Sequence, residues 1–222
     1  MKLNTINLKE IINSLSNDKC KFYNKGSDTL IIWFGGLGEP FLSDNFVNAV
    51  GVDCLSLRDN NSNWYEDGIS SYYNSRKKMV IFFDILKIER KYKKIIFSGQ
   101  SSGGYNALYF FHYNKGDLAI VFAPQTGNQF SGDGHMSPPV KLKNISNLLK
   151  KSEKNIIINI SRSEKKNEKI YMWNDWWQIR DIRNYENITL ITHPFESHAT
   201  SVFLRDKGIF YKFMKGIIDI YL

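Results

Sequence analysis

Residues 93–111 read KKIIFSGQSSGGYNALYFF. An apolar run, Lys94–Ser98, ends in the glycine-bounded turn Gly99-Gln100-Ser101-Ser102-Gly103, and a second apolar stretch, Ser102–Tyr113, follows at helical length. A strand that passes through a tight turn straight into a helix is the opening of a βα unit, and repeated βα units build a parallel sheet.

The same alternation continues on both sides of this segment. Short runs rich in Ile, Val, Leu and Phe predict strands at Leu30–Phe34, Asp53–Leu57, Leu118–Phe122, Asn155–Ile160 and Ile188–Thr192. Such unbroken apolar runs suit strands covered on both faces. Helices are predicted at Leu8–Leu15, Ser75–Tyr92, Pro139–Lys151, Asp175–Asn184 and Ala199–Ile218. Met79, Phe82, Phe83, Leu86 and Arg90 recur at intervals of three and four, which defines one buried helical face. The expected fold class is α/β: a mostly parallel sheet with helices on both faces, in one domain spanning residues 1–222.

Composition narrows the function classes. The net charge of +8 raises the question of nucleic acid. However, the lysines are dispersed as pairs such as Lys77-Lys78, Lys150-Lys151 and Lys165-Lys166, mostly diluted by Asp, Glu or Asn, which describes a solvated surface and no nucleic-acid partner. Cys20 and Cys54 form no C-x-x-C pair and read as core thiols. The first residues, MKLNTINLKEIINSL, are interrupted by polar side chains, and no later run is apolar for long enough to span a bilayer, so the expected location is cytoplasmic. No H-E-x-x-H and no G-x-x-x-x-G-K-[ST] is present, which argues against a zinc site and a nucleotide-phosphate loop.

The chemistry concentrates in the turn. Gly99-Gln100-Ser101-Ser102-Gly103 fits G-x-S-x-G between strand and helix, a setting in which a serine hydroxyl stands exposed on a strained backbone and small residues two before and two after avoid clashes. Ser102 at the motif's centre would place Gln100 where glycine is needed, so Ser101 is the candidate nucleophile. Trp33-Phe34-Gly35-Gly36-Leu37-Gly38-Glu39-Pro40 follows the first strong strand, and its glycines allow a backbone N–H to approach an oxyanion. The candidate donors are Ser102 together with Gly36 or Leu37.

A serine needs a base. Only His193 and His198 follow the last strand; His193 is pinned before Pro194, whereas His198 follows a short loop and can reach back over the sheet edge, so His198 is preferred. His112 and His135 lie elsewhere. For the carboxylate that orients the histidine, Asp175 stands among Trp173, Trp176 and Trp177, whose apolar surfaces would shield its hydrogen bond from water; Glu164 is the alternative.

With elbow, glycine loop, acid and late histidine in that order, the sequence from about Thr29 onward resembles the α/β-hydrolase superfamily of serine hydrolases. More narrowly, GQSSGGYNALYF followed by FAPQT resembles compact hydrolases encoded with bacterial surface-polysaccharide biosynthesis genes. The resemblance implies an α/β-hydrolase fold with a minimal cap, supplied by the loop Pro124–Pro139 and a short helix. It also implies a serine esterase acting through an acyl-serine intermediate with Ser101, His198 and Asp175 or Glu164, without metal or organic cofactor. The implied substrate is a small-molecule or carbohydrate ester, the latter because polar loops at Arg58–Asn63 and Gln125–His135 neighbour Trp64, Tyr65 and the Trp173–Trp177 cluster. An acyltransferase using the same intermediate and a non-catalytic binding protein on this fold are the alternatives. Oligomeric state is open at this level.

Overall fold

The computed structural model describes residues 14–127, 141–161, 175–195 and 197–221. In chain order the elements are β1 (Ser16–Asn17), β2 (Cys20–Tyr23), β3 (Thr29–Phe34), α1 (Asp44–Val50), β4 (Asp53–Leu57), α2 (Arg76–Glu89), β5 (Lys94–Gln100) and α3 (Ser102–Tyr113). There follow β6 (Leu118–Phe122), α4 (Ser146–Leu149), β7 (Asn155–Ser161), α5 (Asp175–Ile179), β8 (Ile188–His193), α6 (Thr200–Asp206) and α7 (Phe210–Tyr221).

The eight strands form one sheet in the order β1-β2-β4-β3-β5-β6-β7-β8. The β1–β2 and β2–β4 pairs are antiparallel, and every pair from β4 to β8 is parallel. Strand side chains alternate between the two faces. Leu30, Ile32 and Phe34 of β3 pack with α2 and α3, whereas Ile31 and Trp33 pack with α1 and α7. The same division separates Ile95 and Phe97 from Ile96 in β5, and Ala119 and Val121 from Ile120 and Phe122 in β6. Two apolar layers therefore sandwich the central strands, which is why most of their positions are apolar.

After β3 the chain moves outward to β4, and then returns to place β5 on the other side of β3. At such a switch point the loops leaving the carboxyl ends of the two central strands diverge and open a crevice. The glycine loop leaves β3 here and the Ser101 turn leaves β5; their strands are neighbours, with Phe34 paired to Gly99.

All six predicted strands are present, within two residues at their ends. The sheet gains an edge hairpin, β1–β2, whose strands of two and four residues are too short to carry a readable alternation. Helix α1 was also not predicted, although Ser43 caps it by accepting the Phe46 N–H and Gly51 ends it at φ 72°. The predicted helix over Ala199–Ile218 is two helices, α6 and α7, separated at Gly208, which adopts φ 70°. The Asp175–Asn184 and Pro139–Lys151 predictions shorten to α5 and α4. Met79, Phe82, Phe83 and Leu86 form the buried face of α2 as predicted, but Arg90 lies beyond its end, exposed, with its guanidinium over the Phe22 ring. The Leu8–Leu15 prediction falls almost wholly outside the described residues.

Candidate active site

Ser101 sits between β5 and α3 with φ 56° and ψ −118°. For a residue with a Cβ this backbone stores about 1–3 kcal/mol of strain. The strain is held by the surroundings: the Ser101 N–H donates to the Phe122 carbonyl at 2.9 Å, and its carbonyl accepts the Tyr105 N–H at 3.1 Å. The flanking glycines are required by contact. A Cβ on Gly99 would lie 2.6 Å from the Gly103 carbonyl carbon, and one on Gly103 would lie 2.0 Å from the Phe34 oxygen. The turn is thus a three-way backbone contact between β3, β5 and α3 that only glycine permits.

Three side chains meet in a hydrogen-bonded line. Ser101 Oγ is 2.7 Å from His198 Nε2, and His198 Nδ1 is 2.7 Å from Asp175 Oδ1. An ionised Asp175 accepts from Nδ1–H, which leaves the Nε2 lone pair to accept the Ser101 hydroxyl proton. Asp175 is buried; that burial pushes its carboxyl above the usual carboxylate range, against the pull of the neighbouring His198 charge and hydrogen bond. It opens α5, whose position is fixed by the Trp176 Nε1–H donating to the Ser161 carbonyl at the end of β7.

His198 lies in the connection between β8 and α6, and its backbone is clipped to the Ser101 turn. Gln100 Nε2 donates to the His198 carbonyl at 2.8 Å, while Gln100 Oε1 accepts the Ser201 N–H at 3.0 Å. Sequence reasoning used Gln100 only to disqualify Ser102, and missed this role. A buried amide beside a nucleophile candidate, needing partners on both ends, was the available signal.

The glycine loop after β3 forms a tight turn. The Glu39 N–H donates to the Gly36 carbonyl at 3.1 Å and Gly38 has φ 71°, which with glycine in the third position defines a type II turn over Gly36–Glu39. The Gly36 N–H is already committed, donating to Glu39 Oε2 at 2.8 Å. By contrast, the N–H groups of Leu37 and Ser102 make no hydrogen bond among the described residues. The Tyr65 hydroxyl donates to the Gly35 carbonyl at 3.0 Å, anchoring the base of the loop.

The remaining candidates are elsewhere. Ser102 Oγ is buried without a hydrogen-bond partner among the described residues. His193 Nε2 lies 3.2 Å from Asn159 Oδ1, its ring stacks on Phe195, and burial lowers its pKa. His112 sits on α3. His135, Glu164 and Trp173 lie outside the described residues, as does most of the Pro124–Pro139 loop. Trp64 and Tyr65, named as aromatic neighbours of the polar loops, are core residues at 3% and 1% exposure; Trp177 on α5 is about half exposed. A shallow cleft of about 260 Å³ beside the glycine turn is lined by Gly38, Glu39, Arg58, Asp59, Asn60 and Ser62.

No protein-family model and no curated protein matches the sequence. Solved structures do match the fold. An alpha/beta fold family hydrolase from Bacillus anthracis str. Sterne superposes with a TM-score of 0.56 at 13% identity, covering 86% of this chain and 92% of that one. The capsule O-acetyltransferase of Neisseria meningitidis serogroup A gives 0.52 at 15% identity, covering 89% and 92%. The Glycosylation Associate Protein (Gap123) complex from Streptococcus agalactiae gives 0.56 at 12% identity over 87% of this chain, which spans 43% of that longer chain. The chain has the α/β-hydrolase fold, as the resemblance of its sequence implies. Among the described residues no helix is long and apolar enough to cross a membrane.

Proposed function

We propose that the chain is a serine hydrolase that cleaves a carboxylic ester through an acyl-Ser101 intermediate. The observation that carries this reading is the line Asp175–His198–Ser101, with 2.7 Å at both links and the serine on a strained turn at the sheet's switch point. A packing role for this serine gives no reason for the strain or for a histidine held by a buried carboxylate.

In this mechanism the Ser101 Oγ–carbon bond forms as its proton passes to His198 Nε2. The carbonyl π electrons move to oxygen, where the N–H groups of Ser102 and the glycine turn stabilise the charge at the N-terminus of α3. Collapse breaks the carbon–oxygen bond to the alcohol, which takes the proton from His198, and the acyl group stays on Ser101. Water then attacks the acyl carbon, His198 accepts its proton and returns it to Ser101 Oγ, and the carboxylic acid leaves. Asp175 stays ionised and stabilises the imidazolium of each half-reaction.

A carbohydrate ester is the substrate class we favour. The cleft beside the turn offers Arg58 and Ser62 to hydroxyl groups, and the half-exposed Trp177, with the Arg180 guanidinium over its ring, adds an aromatic group on α5. Two neighbours in fold are a capsule O-acetyltransferase and a glycosylation-associated protein, which supports the same class. The former also favours a second reading, in which a sugar hydroxyl replaces water and the reaction is acyl transfer.

Treatment with a fluorophosphonate followed by intact-mass measurement tests the core of the proposal, with Ser101→Ala alongside. A single adduct on wild type and none on the variant is expected. An unlabelled wild type that is correctly folded overturns catalysis and leaves a binding protein on a hydrolase fold. Turnover of simple esters with none of any acetylated sugar removes the carbohydrate assignment, and ester products formed with an added sugar acceptor separate transfer from hydrolysis.

A further inference from the structure

Glu39 is acidic, largely buried and outside the Asp175–His198–Ser101 line, and its carboxyl group is spent on a backbone amide. Its side chain is 12% exposed; Oε2 accepts the Gly36 N–H at 2.8 Å, and Oε1 is buried without a hydrogen bond among the described residues, 3.7 Å from the nearest Arg205 nitrogen. The same residue closes the type II turn through its own N–H on the Gly36 carbonyl at 3.1 Å. Gly36 and Glu39 are therefore tied at both ends, main chain to main chain and side chain to main chain. A carboxylate accepting a peptide N–H is among the stronger hydrogen bonds a loop can make. With Tyr65 holding Gly35 from below, this exposed turn is fixed on two sides.

We propose that Glu39 is a positioning residue for the oxyanion site: by occupying the Gly36 amide it locks the turn and leaves the Leu37 N–H as the donor that acts with Ser102. This rests on the serine-hydrolase reading and deepens it. The structure supports the assignment from two sides. The Gly36 amide is already committed, and Leu37 exposes its side chain while its N–H makes no bond among the described residues.

The turn type supplies a direct test. Proline is favoured at the second position of a type II turn and carries no N–H, so Leu37→Pro deletes the proposed donor while keeping the loop. The measurements are kcat and KM on p-nitrophenyl acetate and the rate of fluorophosphonate labelling, with thermal melts reporting the fold. Leu37→Pro is expected to lose about 10²- to 10³-fold in kcat, as removal of one oxyanion donor does. Glu39→Ala is expected to lower kcat about tenfold with KM little changed, and Glu39→Gln, whose Oε1 still accepts the Gly36 N–H, to restore most of it. A Glu39→Ala enzyme with wild-type kcat, a folded Glu39→Gln as impaired as Glu39→Ala, or an active Leu37→Pro overturns the inference while wild-type labelling leaves the hydrolase reading standing. A wild type that does not label removes both.

Discussion

Gln100→Met tests whether the chain's late histidine is held in place by the strand that carries Ser101. The methionine keeps roughly the length and volume of glutamine and removes both ends of the amide. Gln100 is buried at 3% exposure and bridges the His198 carbonyl at 2.8 Å and the Ser201 N–H at 3.0 Å. The Ser201 N–H is then left buried and unpaired, whereas the His198 carbonyl keeps the Thr200 N–H at 2.8 Å, so the loss in stability is about 1–3 kcal/mol, at the lower end if water enters. The effect on reactivity is separable. The clip fixes the peptide of His198 itself, and a misplacement of about 1 Å in a reacting geometry is worth roughly 10²-fold. The assays are urea unfolding and the second-order rate of fluorophosphonate labelling, the latter measured at urea-free conditions where the variant is folded. A Gln100→Met protein that labels at the wild-type rate, with an unchanged unfolding midpoint, would refute the reasoning.

Asp175→Asn keeps the shape of the carboxylate but no longer holds Nδ1 as the donor, so kcat is expected to fall about 10⁴-fold with the fold intact; a loss under tenfold contradicts the assignment. Gly103→Ala places a Cβ 2.0 Å from the Phe34 oxygen, and should cost more than about 4 kcal/mol, seen as insoluble protein or a collapsed melting temperature. Gly216→Ala, inside α7 with open space at the Cβ position, should instead stabilise by about 0.5–1 kcal/mol in the same melts. Glu39→Gln carries a pH signature. Burial raises the Glu39 carboxyl above its ordinary 4.5, more than the Gly36 amide and the Arg205 and His198 charges lower it. The native state therefore binds the Glu39 proton more tightly than the unfolded chain, and the resulting stability is complete below pH about 4.5 and lost as pH rises through the folded value. The amide variant never ionises, so its melting temperature should exceed that of wild type at pH 8 and the advantage should shrink toward pH 4; no pH dependence in the difference contradicts this.

The parts of this molecule legible in sequence are those set by short-range rules. Strands β3 to β7 announce themselves because burial on both faces demands largely apolar runs, and the Ser101 turn because its contacts tolerate only glycine at Gly99 and Gly103. The hairpin β1–β2 was missed because its strands are two and four residues long and are held by pairing with each other and with β4, too short for the alternation in Cys20–Tyr23 to read as a strand. The break between α6 and α7 was carried by one glycine, Gly208, inside a stretch whose apolar spacing is helical on both sides.

The candidate site divides in the same way. Chain order and turn chemistry, which sequence alone determines, single out Ser101, place Asp175 before the late histidines, and put a glycine loop after β3. Only the tertiary structure decided that His198 and not His193 faces Ser101, that the Gly36 amide is spent on Glu39, and that Gln100 ties two distant segments together. These are contacts between residues as far as 101 positions apart, governed by how the sheet brings the ends of β3, β5 and β8 to one edge. A hydrogen bond depends on direction and on tenths of an ångström, and the one-dimensional pattern of apolar and polar residues carries neither.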